Sequence, residues 1–294
     1  MKRTAHEIVH HGGPRVESLT FEDADFSWPR ELVRLIDMGK NSLAPRFPPV
    51  WHASEGGLLM VGGLLTTDWL LTAYRQGIFP WPVYDGQNEI LAWFSPDPRA
   101  VLELDRLHVS RRLRRRLNSG RFQVTFDSNF PSVIAACAGP RRPDDGTWIT
   151  PHLADAYVEL HRLGIAHSVE VWQGGQLAGG LYGLALGGFF AGESMFHCVR
   201  DASKVALVHL VRHLQSCGFV MFDVQQASPH LVRMGATEIP RHEFLSRLKQ
   251  ALELPVSFTD PLRPSASERP TVCANPISPP PNSSATAARS APVC

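Results

Sequence analysis

The sequence lacks the features that mark several specialised classes of protein. Only five of its 294 residues are cysteines, and they are scattered without the CxxC or Cys/His spacing typical of a zinc site. No run of eighteen apolar residues is present. The segment that begins at Met1 is polar, whereas a signal peptide has an apolar stretch after its first basic residues. The sequence therefore predicts a cytoplasmic protein with no metal, no membrane span and no signal peptide.

A large excess of either charge is also missing. The 29 Lys and Arg residues nearly balance the 28 Asp and Glu residues, for a net charge of +1. This balance neither indicates nor excludes a nucleic-acid partner, so local clusters of charge must decide that question. The hydrophobic content of 44% is enough to build the core of one large domain or two modest ones.

Composition changes along the chain predict four segments. Residues 1–30 are polar and mixed, which indicates a mobile N-terminal extension, and residues 259–294 form a tail rich in Pro and Ser that we expect to be disordered. Residues 31–99 should form a small N-terminal α/β domain. Its glycine-rich segment Glu55–Gly63 favours turns and short strands, and Thr67–Gly77 has the polar start and glycine end of a helix.

Residues 100–258 have the pattern of an α+β domain. Strands that alternate between His167 and Met195, with glycine pairs at the turns, predict a three-stranded meander. A helix over Ser203–Gly218 then leads into a strand over Phe219–Val224. Because a helix connects them, the strands before and after it should be parallel neighbours. Further helices are predicted at Ser110–Asn118 and Pro151–Leu163.

Two short apolar runs each contain an acid. Glu193 lies in Gly192–Phe196, and Asp223 lies in Phe222–Gln226. An unpaired buried carboxylate is so unfavourable that each group must be paired, hydrogen-bonded or used in chemistry. Alternation along a strand places Asp223 and Gln225 on one face, where Asp223 could accept a hydrogen bond from the Gln225 amide.

Both acids also have structural interpretations. Asp223 could cap or order the end of its strand, and Glu193 could be an edge residue that faces water. If the two strands are neighbours, however, both carboxylates face one cavity and repel each other, and one pKa rises unless a cation lies between them. A bound amine or guanidinium would remove this repulsion, so we expect a cationic substrate.

A cluster of positive charge occurs in one predicted helix. Leu113 and Leu117 are four residues apart and would anchor the helix, leaving its arginines exposed. Such a surface suits phosphate groups, although a merely solubilising helix face is the alternative. The arginines that we expect to bind phosphates are Arg111, Arg112, Arg114, Arg115 and Arg116.

Three tryptophans lie in loop-like surroundings near Pro or Gly, at positions Trp81, Trp93 and Trp148. Packing in the core is one interpretation of each. An indole exposed at a pocket could instead stack on a base or on a cationic side chain.

Taken together, six segments make the chain resemble the leucyl/phenylalanyl-tRNA protein transferase family over about residues 45 to 250. The resemblance implies an enzyme with a GNAT-like acyltransferase domain that moves Leu or Phe, and less readily Met, from aminoacyl-tRNA to an N-terminal Arg or Lys of a protein. The product of that reaction is a degradation signal. The segments that carry the resemblance are Leu71–Trp81, Trp93–Ala100, Gly146–Thr150, Gly192–Phe196, Ala202–Lys204 and Phe222–Gln225.

The resemblance also implies roles for individual residues. Asp223 and Gln225 match the pair that handles the attacking α-amine, and Glu193 matches an acid of the pocket. Trp81 and Trp148 match aromatic residues at the aminoacyl-adenosine site, and the arginine cluster matches a basic helix in place though not residue for residue. An apolar pocket for the Leu or Phe side chain would be lined by Leu181, Leu210 and Phe222.

The expected partners are Leu-tRNA, Phe-tRNA and acceptor proteins that begin with Arg or Lys, and no cofactor is expected. The chain has no strong dimer motif, which favours a monomer. Two other functions remain open: an N-acetyltransferase that uses acyl-CoA, whose pyrophosphate loop is not evident in the sequence, and a non-catalytic tRNA-binding module, which would leave the buried acids unexplained.

Overall fold

The computed structural model describes residues 44–85, 88–139 and 147–260. The predicted N-terminal extension and nearly all of the predicted tail lie outside these ranges. Within the described residues, no helix is both long enough and apolar enough to cross a membrane.

The N-terminal part combines short strands with one helix. Helix α1 (Thr67–Arg75) begins after Thr66, whose hydroxyl accepts a hydrogen bond from the Trp69 N–H, and it buries Tyr74 on its inner side. A three-stranded antiparallel sheet has the order β1-β5-β2, and β3 and β4 form a separate hairpin. The strands are β1 (Leu58–Val61), β2 (Phe79–Pro80), β3 (Val83–Asp85), β4 (Asn88–Ile90) and β5 (Ala92–Phe94).

A seven-stranded mixed sheet forms the larger part of the structure, with the order β12-β6-β11-β10-β9-β8-β7. Its strands are β6 (Arg99–Leu102), β7 (Gln123–Phe126), β8 (Ala166–Gln173), β9 (Gln176–Leu186), β10 (Phe189–His197), β11 (Met221–Gln225) and β12 (Ala236–Ile239). Strands β8, β9 and β10 form the predicted meander, and β10 and β11 are the predicted parallel neighbours. The α+β prediction is confirmed.

Helices cover both faces of this sheet and divide the core in two. One hydrophobic cluster joins the N-terminal part, α3, α4 and α7 to one face, and the other joins α2 and α5 to the opposite face. The sequence analysis did not predict α3, which is apolar on nearly all sides and therefore has no clear amphipathic stripe. The helices are α2 (Arg111–Leu117), α3 (Phe130–Ala138), α4 (Pro151–Arg162), α5 (Ala202–Cys217), α6 (Pro229–Arg233) and α7 (Arg241–Leu252).

Two bulges interrupt the sheet where β10 and β11 separate. The parallel pairing stops at Ala191 and Asp223. Beyond that point the register of β10 against β9 shifts at Glu193, and the register of β11 against β6 shifts between Asp223 and Gln225. Bulges redirect side chains, and here they turn Glu193 and Gln225 toward each other across the point of separation.

Candidate active site

A buried ion pair joins β6 to β11. Arg99 donates from Nε to Asp223 Oδ1 at 2.9 Å and from Nη2 to Asp223 Oδ2 at 2.7 Å. Its Nη1 donates to the Gly77 carbonyl at 3.1 Å. The guanidinium lies between the rings of Phe79 and Phe244, 4.7 and 4.6 Å from their centroids. The charge of Asp223 is therefore balanced inside the protein by a bidentate, stacked arginine.

Gln225 lies at a bulge rather than on a regular strand. Its φ of 63° is in the left-handed region, so the alternation that placed Asp223 and Gln225 on one face ends before Gln225. The two residues still meet, because the backbone N–H of Gln225 donates to Asp223 Oδ1 at 2.8 Å. A hydrogen bond from the side-chain amide to Asp223 was the wrong expectation, since that amide donates to Glu193.

Glu193 is surrounded by hydrogen-bond donors. Its Oε1 accepts from the Tyr74 hydroxyl at 2.8 Å and from Gln225 Nε2 at 2.9 Å, and its Oε2 accepts from the Tyr157 hydroxyl at 3.0 Å. The two phenol oxygens also lie within hydrogen-bond distance of each other, but because each phenol has one proton, neither can donate to the other while both donate to Glu193. Glu193 is only 8% exposed, so its interpretation as an edge residue facing water is wrong.

Burial brings the pKa of Glu193 close to neutral pH. The pKa of its carboxyl rises from an ordinary 4.5 to about 7. Removal from water is the largest cause and the charge of Asp223 adds to it, while the hydrogen bonds from Tyr74 and Tyr157 and the charge of Arg99 act in the opposite direction. Burial, with the Glu193 carboxylate nearby, raises the pKa of both tyrosines well above 10. The phenols thus remain donors at neutral pH, whereas Glu193 can gain or lose a proton there.

The expected repulsion between the two acids does not require a cationic substrate. Glu193 and Asp223 are on neighbouring strands, as predicted. However, Arg99 already pairs with Asp223, and two phenols and an amide already stabilise Glu193. The expectation of a cationic substrate from this repulsion was wrong, because Arg99, from a strand distant in sequence, already supplies the cation.

The structure brings the two tryptophans expected at the aminoacyl-adenosine site together. The indoles of Trp81 and Trp148 stack with centroids 4.3 Å apart and planes 13° from parallel, and both are partly buried against the core. Trp148 lies just before Thr150, the N-cap of α4, which carries Tyr157. Trp93 is fully buried and donates to the Gly62 carbonyl at 2.8 Å, so core packing is its correct interpretation.

The three residues expected to line an apolar pocket belong to one hydrophobic cluster. Leu181, Leu210 and Phe222 are 3%, 0% and 3% exposed and lie on the α5 face of the sheet, opposite to Asp223. A Cβ atom at Gly192 would lie 2.8 Å from Phe222 Cε2, so the glycine beside Glu193 allows the phenylalanine to approach β10.

The arginine helix has two different sides. Leu113 is buried, and Arg111, Arg114 and Arg115 line an open concave surface together with Asn118. The remaining two arginines of the cluster, Arg112 and Arg116, face Asp201. Within residues 44–85, 88–139 and 147–260, no group of three or more His, Cys, Asp or Glu side chains is arranged to hold a metal ion.

Sequence reasoning did not identify Arg99, Tyr74 and Tyr157 as parts of the site. Arg99 and Tyr74 both lie inside segments that carry the family resemblance, which was a signal that could have found them. Tyr157 lies on the helix predicted over Pro151–Leu163, outside the segments that carry the resemblance. Its hydroxyl was the missed signal, because a buried phenol needs a hydrogen-bond partner.

Comparison with known families gives two adjacent matches. Residues 101–249 match the family model described as leucyl/phenylalanyl-tRNA protein transferase. Residues 63–97 match the model described as the N-terminal domain of the same transferase. Apart from β1 and the first two residues of β6, the two matches together cover the small N-terminal sheet and the seven-stranded sheet.

Curated relatives with the name leucyl/phenylalanyl-tRNA--protein transferase are closely similar. The protein of Syntrophotalea carbinolica is 56% identical over 206 residues, which cover 70% of this chain and 88% of that protein. The protein of Pseudomonas putida is 54% identical over 213 residues, which cover 72% of this chain and 93% of that protein.

Solved structures are much less similar. The structure of L-PGS from Bacillus licheniformis is 11% identical, with a TM-score of 0.34, and the match covers 55% of this chain and 52% of that one. A GCN5-related N-acetyltransferase from Kribbella flavida is 10% identical, with a TM-score of 0.32, over 56% of this chain and 58% of that one.

Proposed function

The chain belongs to the leucyl/phenylalanyl-tRNA protein transferase family, and on that premise we propose that it transfers Leu or Phe, and less readily Met, from aminoacyl-tRNA to the N-terminal Arg or Lys of an acceptor protein. The observation that carries this proposal is the family match over both parts of the described chain. The new N-terminal residue would act as a degradation signal.

The reaction is aminolysis of an ester. The α-amine nitrogen of the acceptor attacks the carbonyl carbon of the aminoacyl group, a C–N bond forms, and the C–O bond to the terminal ribose breaks. The ribose oxygen leaves with a proton, and the amine loses one. An activated ester needs little covalent help, so holding the two substrates in reacting geometry supplies most of the rate enhancement.

Glu193 and Gln225 are the groups that we assign to the attacking amine. A carboxyl with a pKa of about 7 is well matched to accept a proton near neutral pH from an amine whose ordinary pKa is about 8. Gln225 uses its Nε2 to bind Glu193, and its amide oxygen accepts no hydrogen bond from the described residues, so it remains able to accept one from the amine.

Asp223 takes a positioning role in this proposal. It holds the backbone of Gln225 in its left-handed conformation and is itself fixed by Arg99. An acid that is already bound by a bidentate arginine is poorly placed to collect a proton, so we assign proton acceptance to Glu193 rather than to Asp223.

The aminoacyl-tRNA would be held by three groups of residues. We assign Trp81 and Trp148 to the terminal adenosine, because stacked indoles offer a flat face to a base. We assign Leu181, Leu210 and Phe222 to the side chain of the transferred amino acid. Such a pocket discriminates by only about 1–3 kcal/mol per missing methylene, which would allow it to accept Leu, Phe and Met. The arginine helix would add phosphate contacts that weaken as salt is raised.

We further propose that the protein acts as a cytoplasmic monomer and needs no cofactor or metal, because both the acyl donor and the acceptor are supplied by the substrates. Residues 31–99 would act as the N-terminal domain and residues 100–258 as the catalytic domain.

One assay tests this function against its two rivals. The protein is mixed with radiolabelled Leu-tRNA and a peptide that begins with Arg, and the same peptide with an acetylated N-terminus is the control. Label in the free peptide alone supports the proposal. Acetylation of the peptide from acetyl-CoA would favour an N-acetyltransferase, and tRNA binding without transfer would favour a binding module.

A further inference from the structure

Asp201, the residue immediately before α5, has an unusual local structure. Its φ of 73° is in the left-handed region, which is unfavourable for most residues, although Asn and Asp tolerate it better than others. Aspartate is a preferred helix N-cap, yet the side chain of Asp201 makes no capping hydrogen bond to α5. A conformation of this kind persists only where surrounding contacts maintain it.

The contacts of Asp201 are with three cations. Its Oδ2 lies 3.3 Å from Arg112 Nη2 and 3.9 Å from Arg116 Nε, and its Oδ1 lies 3.4 Å from Lys204 Nζ. Two of the cations come from α2 and one from the first turn of α5, so this carboxylate joins the two helices. A single exposed pair would contribute little, but here three cations share a carboxylate that is only 8% exposed.

The geometry of α2 separates its arginines into two groups. Arg112 and Arg116 are four residues apart, so they project from the same side of the helix toward Asp201. Arg111, Arg114 and Arg115 line the open concave surface instead. Among the described residues, these three make no ion pair with a carboxylate, so their charges are available to an anionic partner.

We propose that Asp201 is a positioning residue for tRNA binding: it anchors α2 against α5 through Arg112 and Arg116, and thereby presents Arg111, Arg114 and Arg115 to the phosphates. The inference rests on the proposed function, because the phosphates are those of aminoacyl-tRNA. It assigns direct phosphate contact to three arginines of the cluster and an anchoring role to the other two.

The substitution Asp201→Asn tests the inference by the sign of its effect. Asparagine keeps the shape of the side chain and tolerates the left-handed conformation, but it removes the negative charge. Loss of an acid from a basic surface would by itself strengthen tRNA binding. An anchoring role predicts the reverse: the KM for Leu-tRNA should rise about three- to tenfold, with kcat changed by less than about twofold.

Asp105→Asn is the matched control. Asp105 is exposed in the short helical segment Leu104–Arg106 just before α2, and its substitution removes the same charge. The KM for Leu-tRNA of this variant should stay the same or fall slightly. An unchanged or lower KM for Asp201→Asn, or an equal rise for Asp105→Asn, would overturn the anchoring role.

A second pair of variants tests the division of the arginines and does not depend on Asp201→Asn folding. Arg112 is 51% exposed, so Arg112→Gln should leave the fold intact. Arg115→Gln should reduce the slope of log K against log salt concentration by about 0.7 to 0.9, the loss of one phosphate contact. Arg112→Gln should weaken binding and leave that slope nearly unchanged. Equal loss of slope in both variants would overturn the division.

These experiments keep the inference separate from the proposed function. A wild-type protein that binds Leu-tRNA but transfers no leucine would contradict the proposed function, and equilibrium binding of Leu-tRNA would still test Asp201. A wild-type protein that transfers leucine, with Asp201→Asn at the wild-type KM, would contradict only the inference.

Discussion

Two regions of the large sheet each bury a glutamate near an aspartate, Glu170 near Asp127 and Glu193 near Asp223. Different donors surround the two glutamates. At the ends of β7 and β8, Glu170 accepts from the Thr125 hydroxyl at 2.7 Å and the Ser168 hydroxyl at 2.5 Å. It also accepts from the backbone N–H groups of Ser128 and Asn129, both at 3.3 Å. Asn129 is the N-cap of α3, so Glu170 fixes the start of that helix to the sheet.

Where β10 and β11 separate, the donors that surround the buried glutamate are of a different chemical kind. Glu193 accepts from two phenols and from Gln225, whose amide oxygen remains able to bind a substrate. The hydrogen bonds of Glu170 join strands β7 and β8 to each other and to the start of α3, whereas those of Glu193 converge on a place where the sheet opens. Burial alone therefore does not identify a functional acid, and the kind of donor and the local opening of the sheet distinguish the two.

The largest effect should come from Arg99, because among the described residues Asp223 pairs with a buried arginine, whereas Asp127 in the other region contacts histidines and no arginine or lysine. Arg99→Met leaves Asp223 buried and unpaired, and we expect a loss of about 3–5 kcal/mol in the free energy of unfolding, measured with urea. The control is Arg247→Met, which breaks the partly exposed pair with Glu103 and should lose about 0–1 kcal/mol. Equal losses would show that the buried pair of Arg99 and Asp223 contributes no more to stability than the partly exposed pair of Arg247 and Glu103.

Asp223→Ala should lose stability as well as transfer activity, for the same reason. That variant leaves Arg99 without its partner in the core, so loss of transfer would be expected from destabilisation as well as from chemistry. Its transfer rate is informative only beside its unfolding curve.

Glu193→Gln should produce the largest effect on the reaction. The amide oxygen can still accept hydrogen bonds from Tyr74 and Gln225, and the amide NH2, in the place of Oε2, can donate to the Tyr157 oxygen. The amide cannot take a proton from the attacking amine. We expect the rate of leucine transfer to fall by about 100-fold or more, the usual size of a general-base contribution. Glu170→Gln, made in the other region, should transfer at nearly the wild-type rate. Transfer by Glu193→Gln at the wild-type rate would remove Glu193 from the mechanism.

Glu170→Gln should lower the stability of the protein, although it should leave the transfer rate nearly unchanged. Glutamine replaces one acceptor oxygen with a donor that faces other donors, so at least one backbone N–H or hydroxyl loses its partner. We expect a loss of about 1–3 kcal/mol in the free energy of unfolding. The result would contradict the comparison if Glu170→Gln were as stable as the wild type.

Much of the fold could be predicted because its signals are local. Alternation and glycine turns gave the meander, and the helix between β10 and β11 required those strands to be parallel. Acids within apolar runs directed attention to Glu193 and Asp223. Strands β6, β7 and β12 were not predicted, because each is only four residues long and has too few alternations to be recognised.

The partners of the site could not be predicted because they come from distant segments. Arg99 is 124 residues from Asp223, and Tyr74 is 119 residues from Glu193. No periodicity relates residues at such separations, and only the packing of α1 against the sheet and the pairing of β6 with β11 bring them together. The left-handed conformation of Gln225 was equally hidden, since alternation assumes a regular strand.

The dependence of stability on pH gives the smallest and most specific comparison. Burial raises the pKa of Glu193 to about 7, so its protonated form is favoured in the folded protein. Its contribution to stability is fully present below about 4.5 and is lost as the pH rises toward 7. Glu193→Gln lacks this loss, so its free energy of unfolding relative to the wild type should increase by up to about 1.4 kcal/mol per pH unit across that range. Glu103→Gln should show the opposite trend at lower pH, because the Arg247 hydrogen bonds lower the pKa of Glu103 and its contribution is lost as the pH falls below about 4.5. Urea unfolding at a series of pH values measures both, and parallel trends in the two variants would show that Glu193 does not titrate near neutral pH.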